Sequence, residues 1–348
     1  MRTMRAAVCT GRERIGIEEV PRPVPQAGQV LVEVKACGLC GSDVDGYVGH
    51  HPMIKWPVIL GHECSGVIAE LGPGVENWRV GEDVVVEPFF TCGTCPACRK
   101  GRYNLCRDLK LIGHQVAGSL ADYVIADARF LHHKPCNLSF EEAALAEPAS
   151  CSLHAIERCH LKSGDLVVIL GCGTVGSLAM QFASIKGAEV MVVDVEGFKL
   201  DLAAQLGADH VVNPTRDDVR KRVMELTDGI GADCVLEAVG RPDTLAATVD
   251  LVKRGGTIML MGWSGSETDP FGLTKVTLNE LTVLGTLCYC WDFPVALKLM
   301  SRGKIKVAPI ISHRLPLTRV EEGVNMLRQG GAGVWKIIVA EEASTDQA

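Results

Sequence analysis

The segment from Leu166 to Asp194, LVVILGCGTVGSLAMQFASIKGAEVMVVD, leaves its part of the chain little choice of fold. The five apolar residues LVVIL run directly into a glycine turn, then into a stretch with helical spacing, then into a second apolar run, EVMVV. That order describes a strand, a crossover helix and a parallel strand, and parallel strands are covered on both faces. Gly171, Gly173 and Gly176 follow the G-x-G-x-x-G pattern. Such glycines allow a tight turn, close approach of the backbone to a pyrophosphate and tight packing of helix on strand, while the helix N-terminus favours phosphate charge. Asp194 ends the second strand 18 residues beyond Gly176, where a carboxylate accepts hydrogen bonds from an adenosine ribose. It would repel a 2′-phosphate, and neither Val193 nor Val195 is an arginine that would welcome one. NAD is therefore expected over NADP, with Thr174, Val175 and Lys199 completing the expected contact set.

The alternation continues after Asp194, with strands expected at HVVNP, ADCVLEAVG, TIMLMG and TVLGTLCY and helices at FKLDLAAQLG, DDVRKRVMELT and DTLAATVDLVK. This is the pattern of a doubly wound parallel sheet, of α/β class, over residues 151–289. Before residue 130 the rhythm differs. Short runs such as QVLVEVKACG and EDVVVEP, separated by Gly/Pro-rich turns, imply a β-rich domain. The six strands complete one sheet, so the tail from residue 290, with two amphipathic helices around VAPIISHRLPL, is expected to rejoin the first domain, giving 1–150 with 290–348.

A net charge of −7 without a lysine or arginine block argues against a nucleic-acid or membrane-surface binder. The N-terminus has no apolar run of the kind a leader requires, and no run elsewhere approaches the roughly 20 residues of a membrane span. A cytoplasmic location and a small-molecule partner are expected. The 15 cysteines are then read as metal ligands or core thiols rather than as a disulfide framework. Cys92, Cys95, Cys98 and Cys106 stand at C-x2-C-x2-C-x7-C spacing among turn-forming Gly93, Pro96 and Gly101. Four thiolates so spaced can close around one tetrahedral Zn²⁺, a structural site within a lobe at about residues 90–108.

A third set is scattered: Cys37 and Cys40 in ACGLCGSDVDG, His62 and Glu63 in GHECSG, and Glu147 in LAEPAS. Sulfur, nitrogen and carboxylate donors together suit an open, catalytic zinc. With the four-cysteine lobe, the glycine fingerprint and the late ISHRLPL in the same order, these residues make the chain resemble the zinc-dependent medium-chain dehydrogenases over essentially its whole length. Glu63 with Glu147, GRYNLC and GTLCYCWDFPVALKLM resemble the polyol branch, the sorbitol- and butanediol-type enzymes. The resemblance implies a GroES-like catalytic domain with a Rossmann domain between its two halves. It also implies one catalytic and one structural zinc per chain, NAD as cofactor, and a homodimer or homotetramer.

Position by position, the resemblance makes Cys40, His62 and Glu63 zinc ligands and puts Glu147 where alcohol dehydrogenases use a cysteine, leaving open which glutamate ligates at rest. Ser42 becomes the hydroxyl that passes the substrate proton, and Asp43 the acid that orients the histidine. Where many relatives carry a histidine after GSDV, this chain has Asp45. Asp45, Tyr47, His50, His51 and water are all candidates for the outer end of the proton path. Cys288 stands where some sorbitol dehydrogenases have an arginine, with Tyr289 beside it, so the substrate cannot be copied from sorbitol. The implied reaction is reversible oxidation of a polyol, vicinal diol or related secondary alcohol to a ketone. A threonine-dehydrogenase-like activity is the alternative, weighed against by EPAS; a non-catalytic dinucleotide-binding role is more remote, since Cys40, Ser42, His62, Glu63 and Glu147 are all present.

Overall fold

The computed structural model describes residues 2–263, 265 and 270–341. The chain divides into two compact units: residues 1–147, 293–301 and 307–348 form the first, and residues 148–292 with 302–306 the second.

The first unit is built on a seven-stranded sheet. Strands Leu131–His133, Asp83–Val86, Glu63–Leu71, Gln29–Gly38, Lys336–Val339 and Ile311–Leu315 lie side by side in that order, and Tyr123–Asp127 also pairs with Gln29–Gly38. Pairing is antiparallel throughout except between the two C-terminal strands. Val30, Val32, Leu39, Leu60, Ile68, Val84, Val86 and Ile337 pack into its core. The strand Lys336–Val339 was not anticipated from the sequence, and it matters because it carries Lys336 beside the ends of Gln29–Gly38 and Glu63–Leu71.

The second unit holds six parallel strands, β1 (Leu166–Leu170), β2 (Glu189–Val193), β3 (His210–Val212), β4 (Ala232–Glu237), β5 (Val252–Leu260) and β6 (Thr282–Gly285). Their spatial order is 3-2-1-4-5-6. This is the Rossmann order, which reverses direction beside β1. Every residue of β1 is buried, which is why LVVIL carries no polar alternation. The expected helix over DTLAATVDLVK stops at Leu251, and Val252 and Lys253 instead open β5. Pairing of Val252 with Ala232 of β4 decides that boundary against local helical preference.

Candidate active site

Strand Gln29–Gly38 ends two residues before Cys40, and Glu63–Leu71 starts directly after His62. The register sets Gly38 opposite Glu63 on one side and opposite Ile338 on the other. Strand ends remote in sequence thus converge, and one donor atom each from Cys40, His62 and Glu63 falls within 4.8 Å of the other two. Bonds of about 2.0–2.3 Å to zinc place tetrahedral donors roughly 3.3–3.8 Å apart, so small side-chain adjustments close this set on an ion.

Asp43, fully buried, organises both loops. Its Oδ2 accepts the Cys40 N–H at 2.9 Å and its Oδ1 accepts the Gly61 N–H at 2.9 Å. Oδ1 also lies 3.7 Å from His62 Nδ1, a buried nitrogen without a hydrogen-bond partner among the described residues. The carboxylate therefore stands behind the imidazole in the manner of an outer partner that orients a metal-binding histidine. Burial by itself would lower the His62 pKa, but the charge of Asp43, then Cys40, then Glu147, raises it well above the usual histidine value. Surroundings that retain a proton on a buried imidazole are surroundings that a dication would neutralise, and the residues fit zinc on this ground.

Glu63 has a second attachment. The buried Lys336 ammonium donates to Glu63 Oε1 at 2.6 Å and to the Leu39 carbonyl at 2.8 Å, and lies 2.5 Å from Glu63 Oε2. Burial opposes the charge on Lys336, yet Glu63 and Cys40 keep its pKa above the ordinary lysine value. Gly38 leaves room for this pair, since a Cβ there would stand 2.1 Å from Glu63 Oε2 and 2.9 Å from Lys336 Cε. Gly38→Ala is accordingly expected to cost about 1–3 kcal/mol of stability through overpacking and to weaken metal retention. Thermal melts with zinc analysis check this; an unchanged melting temperature and zinc content would refute the packing.

Glu147 is buried on the first turn of helix Ala146–Arg158, near enough for its charge to act on His62 but outside the three-donor group. Ser42 is half-buried on the first turn of helix Gly41–Val48, two residues from Cys40. Asp45 lies further along that helix, its pKa raised by burial, and the charge that acts on it is His50. Cys37 is a core thiol whose Sγ contacts Ser119 Oγ at 3.2 Å, and burial pushes its pKa far up. Sequence reasoning missed Lys336 and His114. The His114 ring meets His62 edge-on at 5.3 Å and His51 at 4.8 Å. Burial, then the charge of His62, pushes the His114 pKa down to about 3. A lone lysine inside VWKIIV was the available signal for Lys336; His114 had none.

The sulfur atoms of Cys92, Cys95, Cys98 and Cys106 all lie within 4.8 Å of one another, with Cys92 and Cys106 at 3.5 Å. Backbone N–H groups point at them: Cys95 N–H donates to Cys92 Sγ at 3.3 Å, and Asp108 N–H to Cys106 Sγ at 3.4 Å. N–H groups of Cys98 and Arg107 bring the Cys95 thiol down to about 6, whereas burial and the neighbouring sulfurs push Cys98 up to about 12. Thiolates crowded this way repel one another until a cation sits among them, and the donor set suits a closed structural zinc.

In the second unit, Gly171 has φ of 98°, and a Cβ on Gly176 would stand 1.9 Å from the Gly171 carbonyl oxygen. A Cβ on Gly173, at the N-cap of helix Thr174–Ile185, would meet nothing within 4 Å. One glycine makes the turn, one permits helix packing, and one leaves its face open, as a dinucleotide turn requires. Asp194 closes the turn by accepting the Cys172 and Glu196 N–H groups at 2.7 and 2.9 Å. Asp194, Gly171, Arg220 and Thr244 line a cavity of about 590 Å³. Thr174 and Val175 begin the helix, outside that lining, and the Lys199 ammonium lies over the Phe198 ring.

Residues 26–136 match the alcohol dehydrogenase GroES-like domain and residues 174–302 match the zinc-binding dehydrogenase domain. Sorbitol dehydrogenase of Halalkalibacterium halodurans is 36% identical, covering 94% of this chain and 97% of its own. L-threonine 3-dehydrogenase of Pyrococcus horikoshii is 35% identical, over 90% and 92%. The crystal structure of a zinc-binding dehydrogenase of Sinorhizobium meliloti bound to NADP has a TM-score of 0.92 at 31% identity, covering 98% of this chain and 100% of that one. The two units, with their GroES-like and Rossmann architectures, define a dehydrogenase of two domains. The chain belongs to the zinc-type, NAD(P)-dependent alcohol dehydrogenase family. Among the described residues, no helix is long and apolar enough to cross a membrane.

Proposed function

We propose that this enzyme reversibly oxidises a polyol, vicinal diol or related secondary alcohol to a ketone, with NAD as hydride acceptor. The observation that carries the reading is the sulfur, nitrogen and carboxylate donor set of Cys40, His62 and Glu63 on a chain that also holds a dinucleotide turn. Zinc held by these residues, with Glu147 close by, would supply the Lewis acidity that brings a bound hydroxyl toward ionisation near neutral pH. Cys92, Cys95, Cys98 and Cys106 would hold the second, structural zinc.

Ser42, on the same helical turn as Asp43, is the hydroxyl assigned to receive the substrate proton. Asp43 keeps Cys40 and His62 in place through backbone and imidazole. For the outward passage of that proton we favour water or His51 over Asp45, whose charged neighbour is His50. Gly171, Gly173 and Gly176 would receive the pyrophosphate at the helix N-terminus. The adenosine cavity has Asp194, Asp217, Asp218, Asp243 and Asp250 on its lining against only Arg220 and Arg241, and Arg241 is already paired with Asp243. An added 2′-phosphate would meet net repulsion there, which supports NAD. Substrate class rests on the paired glutamates and the similarity to the sorbitol enzyme. A homodimer or homotetramer agrees with exposed Leu273 and Leu278 near β6, and we retain a cytoplasmic location.

The test is the initial rate of NADH formation with polyols, vicinal diols, inositols, simple secondary alcohols and threonine. A polyol or diol is expected to turn over, with activity lost to a strong chelator and restored by Zn²⁺, and with NADP at least about tenfold poorer in kcat/KM. Preference for threonine, or silence across the panel in zinc-loaded protein, would overturn the substrate reading.

A further inference from the structure

Glu237 is a carboxylate of 1% exposure in the second unit, and the proposed reaction gives it no task. It ends β4, paired with Leu170 of β1 on one side and with Leu260 of β5 on the other. Ligands of open parallel sheets bind outside the carboxyl ends of the strands where the strand order reverses, and here that place lies between β1 and β4. Glu237 therefore borders the crevice that the glycine turn opens. We propose that Glu237 is a positioning residue for the dinucleotide, its carboxylate holding the loop after β4 in the shape that receives the cofactor. The inference rests on the dinucleotide reading of the glycine turn and is independent of which alcohol is oxidised.

The hydrogen bonds give the first reason. Glu237 Oε1 accepts the Val239 N–H at 3.0 Å, the Gly240 N–H at 2.9 Å and the Thr244 hydroxyl at 2.7 Å, and the Gly240 N–H also reaches Oε2 at 3.2 Å. A carboxylate taken out of water needs such donors to offset its lost hydration. All of these donors belong to residues 239–244, so the side chain folds the loop back over the end of its own strand. Thr244 stands on the first turn of helix Pro242–Leu251, and its bond ties that helix to the same carboxylate. An apolar side chain could fill the space, but it would leave the Val239 and Gly240 N–H groups without this acceptor.

What the loop touches gives the second reason. The Ala238 N–H donates to the Leu170 carbonyl at 2.9 Å, and a Cβ on Gly171 would stand 2.5 Å from Val239 Cγ2. Val239 thus lies against the first glycine of the dinucleotide turn, and with Gly171, Asp194 and Thr244 it lines the cavity of about 590 Å³. On the side of β5, the Glu237 backbone carbonyl accepts the Met261 and Gly262 N–H groups, both at 2.9 Å. A Cβ on Gly262 would stand 2.2 Å from the Gly240 nitrogen and 2.4 Å from Glu237 Oε2. The segments after β4 and β5 therefore close around the carboxylate without room for a methyl group, and the carboxylate sets one wall of the cofactor cavity.

The experiment measures the affinity of the full chain for NADH by fluorescence, with KM for NAD⁺ and kcat on whichever alcohol turns over. Glu237→Ala is expected to raise the NADH Kd by about tenfold or more, which follows if the freed loop keeps its receptive shape about a tenth of the time or less. KM for NAD⁺ should rise in parallel, while kcat at saturating cofactor changes by less than about threefold. In Glu237→Gln the carbonyl oxygen can take the place of Oε1 and keep the Val239, Gly240 and Thr244 bonds, so this variant should recover most of the affinity. Thr244→Val should weaken NADH by a smaller factor and add nothing to Glu237→Ala, because both remove the same bond. Unchanged affinity in Glu237→Ala, a glutamine variant as weak as the alanine one, or additive losses in the double variant would overturn the proposal. If Glu237→Ala fails to fold, unchanged NADH affinity in Thr244→Val overturns it instead. A wild-type chain that binds neither NADH nor NADPH would overturn the dinucleotide reading itself, whereas wild-type binding that ignores these substitutions overturns only the role of Glu237.

Discussion

Cys40→Ser is expected to lower kcat/KM by about a thousandfold or more and to remove one zinc per chain while the cysteine lobe keeps its own. The substitution changes one atom, and the hydrogen bond from residue 40 to Asp43 survives because its donor is backbone. What it removes is the one sulfur in the group with His62 and Glu63. An alcohol hydroxyl is a poor nucleophile and a poor proton donor near pH 7, and the stabilisation of developing alkoxide by a bound ion is worth several kcal/mol. At about 1.4 kcal/mol per tenfold, loss of that contribution gives the stated effect on rate. Circular dichroism and NADH binding should be unaltered, since the turn at Gly171, Gly173 and Gly176 belongs to the other unit. Full turnover with full zinc content in the variant would remove Cys40 from the metal site and leave the proposed chemistry without its central donor.

The two features most legible in the sequence are those whose physical demands are local. Gly171 needs its positive φ, and Gly176 cannot carry a Cβ because that atom would stand 1.9 Å from the Gly171 carbonyl oxygen of its own turn; both constraints are satisfied within six residues and so leave a readable string. The cysteine lobe is legible for the same reason, four thiols and their N–H donors lying within one short loop. Cys40 and His62 are different. Each is ordinary in its own stretch, and only the register of Gly38 against Glu63 brings their loops together, so spacing alone said nothing and the family resemblance carried the reading. Lys336 is further still, 273 residues from Glu63 in the chain. Its strand is four residues long and was not anticipated, and without the strand there was no reason to bring a C-terminal lysine to the site. His154 with Asp292 repeats the lesson at a separation of 138 residues. Buried pairs formed by long-range pairing leave only a polar residue out of place in an apolar run as their trace.

Lys336→Met carries the largest expected effect on stability, about 3–5 kcal/mol, the usual consequence of removing one partner of a buried ion pair. The ammonium is almost wholly inaccessible, as is the carboxylate it holds, with side-chain exposures of 2% and 1%. Methionine matches the lysine stem in length and flexibility, so packing beside Gly38 is largely kept and the loss is electrostatic. Glu63 would then face the Leu39 carbonyl without a cation and, in metal-free protein, would take up a proton or draw in water. Zinc bound at Cys40, His62 and Glu63, as proposed, would supply the missing positive charge, so the deficit should be greatest in chelated protein and shrink when zinc is restored. That dependence separates a charge effect from a packing defect, because a cavity or clash would cost the same with and without the ion. Lys336→Arg, which retains the charge but enlarges the head group, should lie between wild type and methionine. Melting temperatures of the three proteins, each measured with chelator and with zinc, make the comparison. A loss identical in both conditions would mean that Lys336 packs the strand ends without balancing the Glu63 charge. No loss at all would mean that the buried pair is absent from the folded protein.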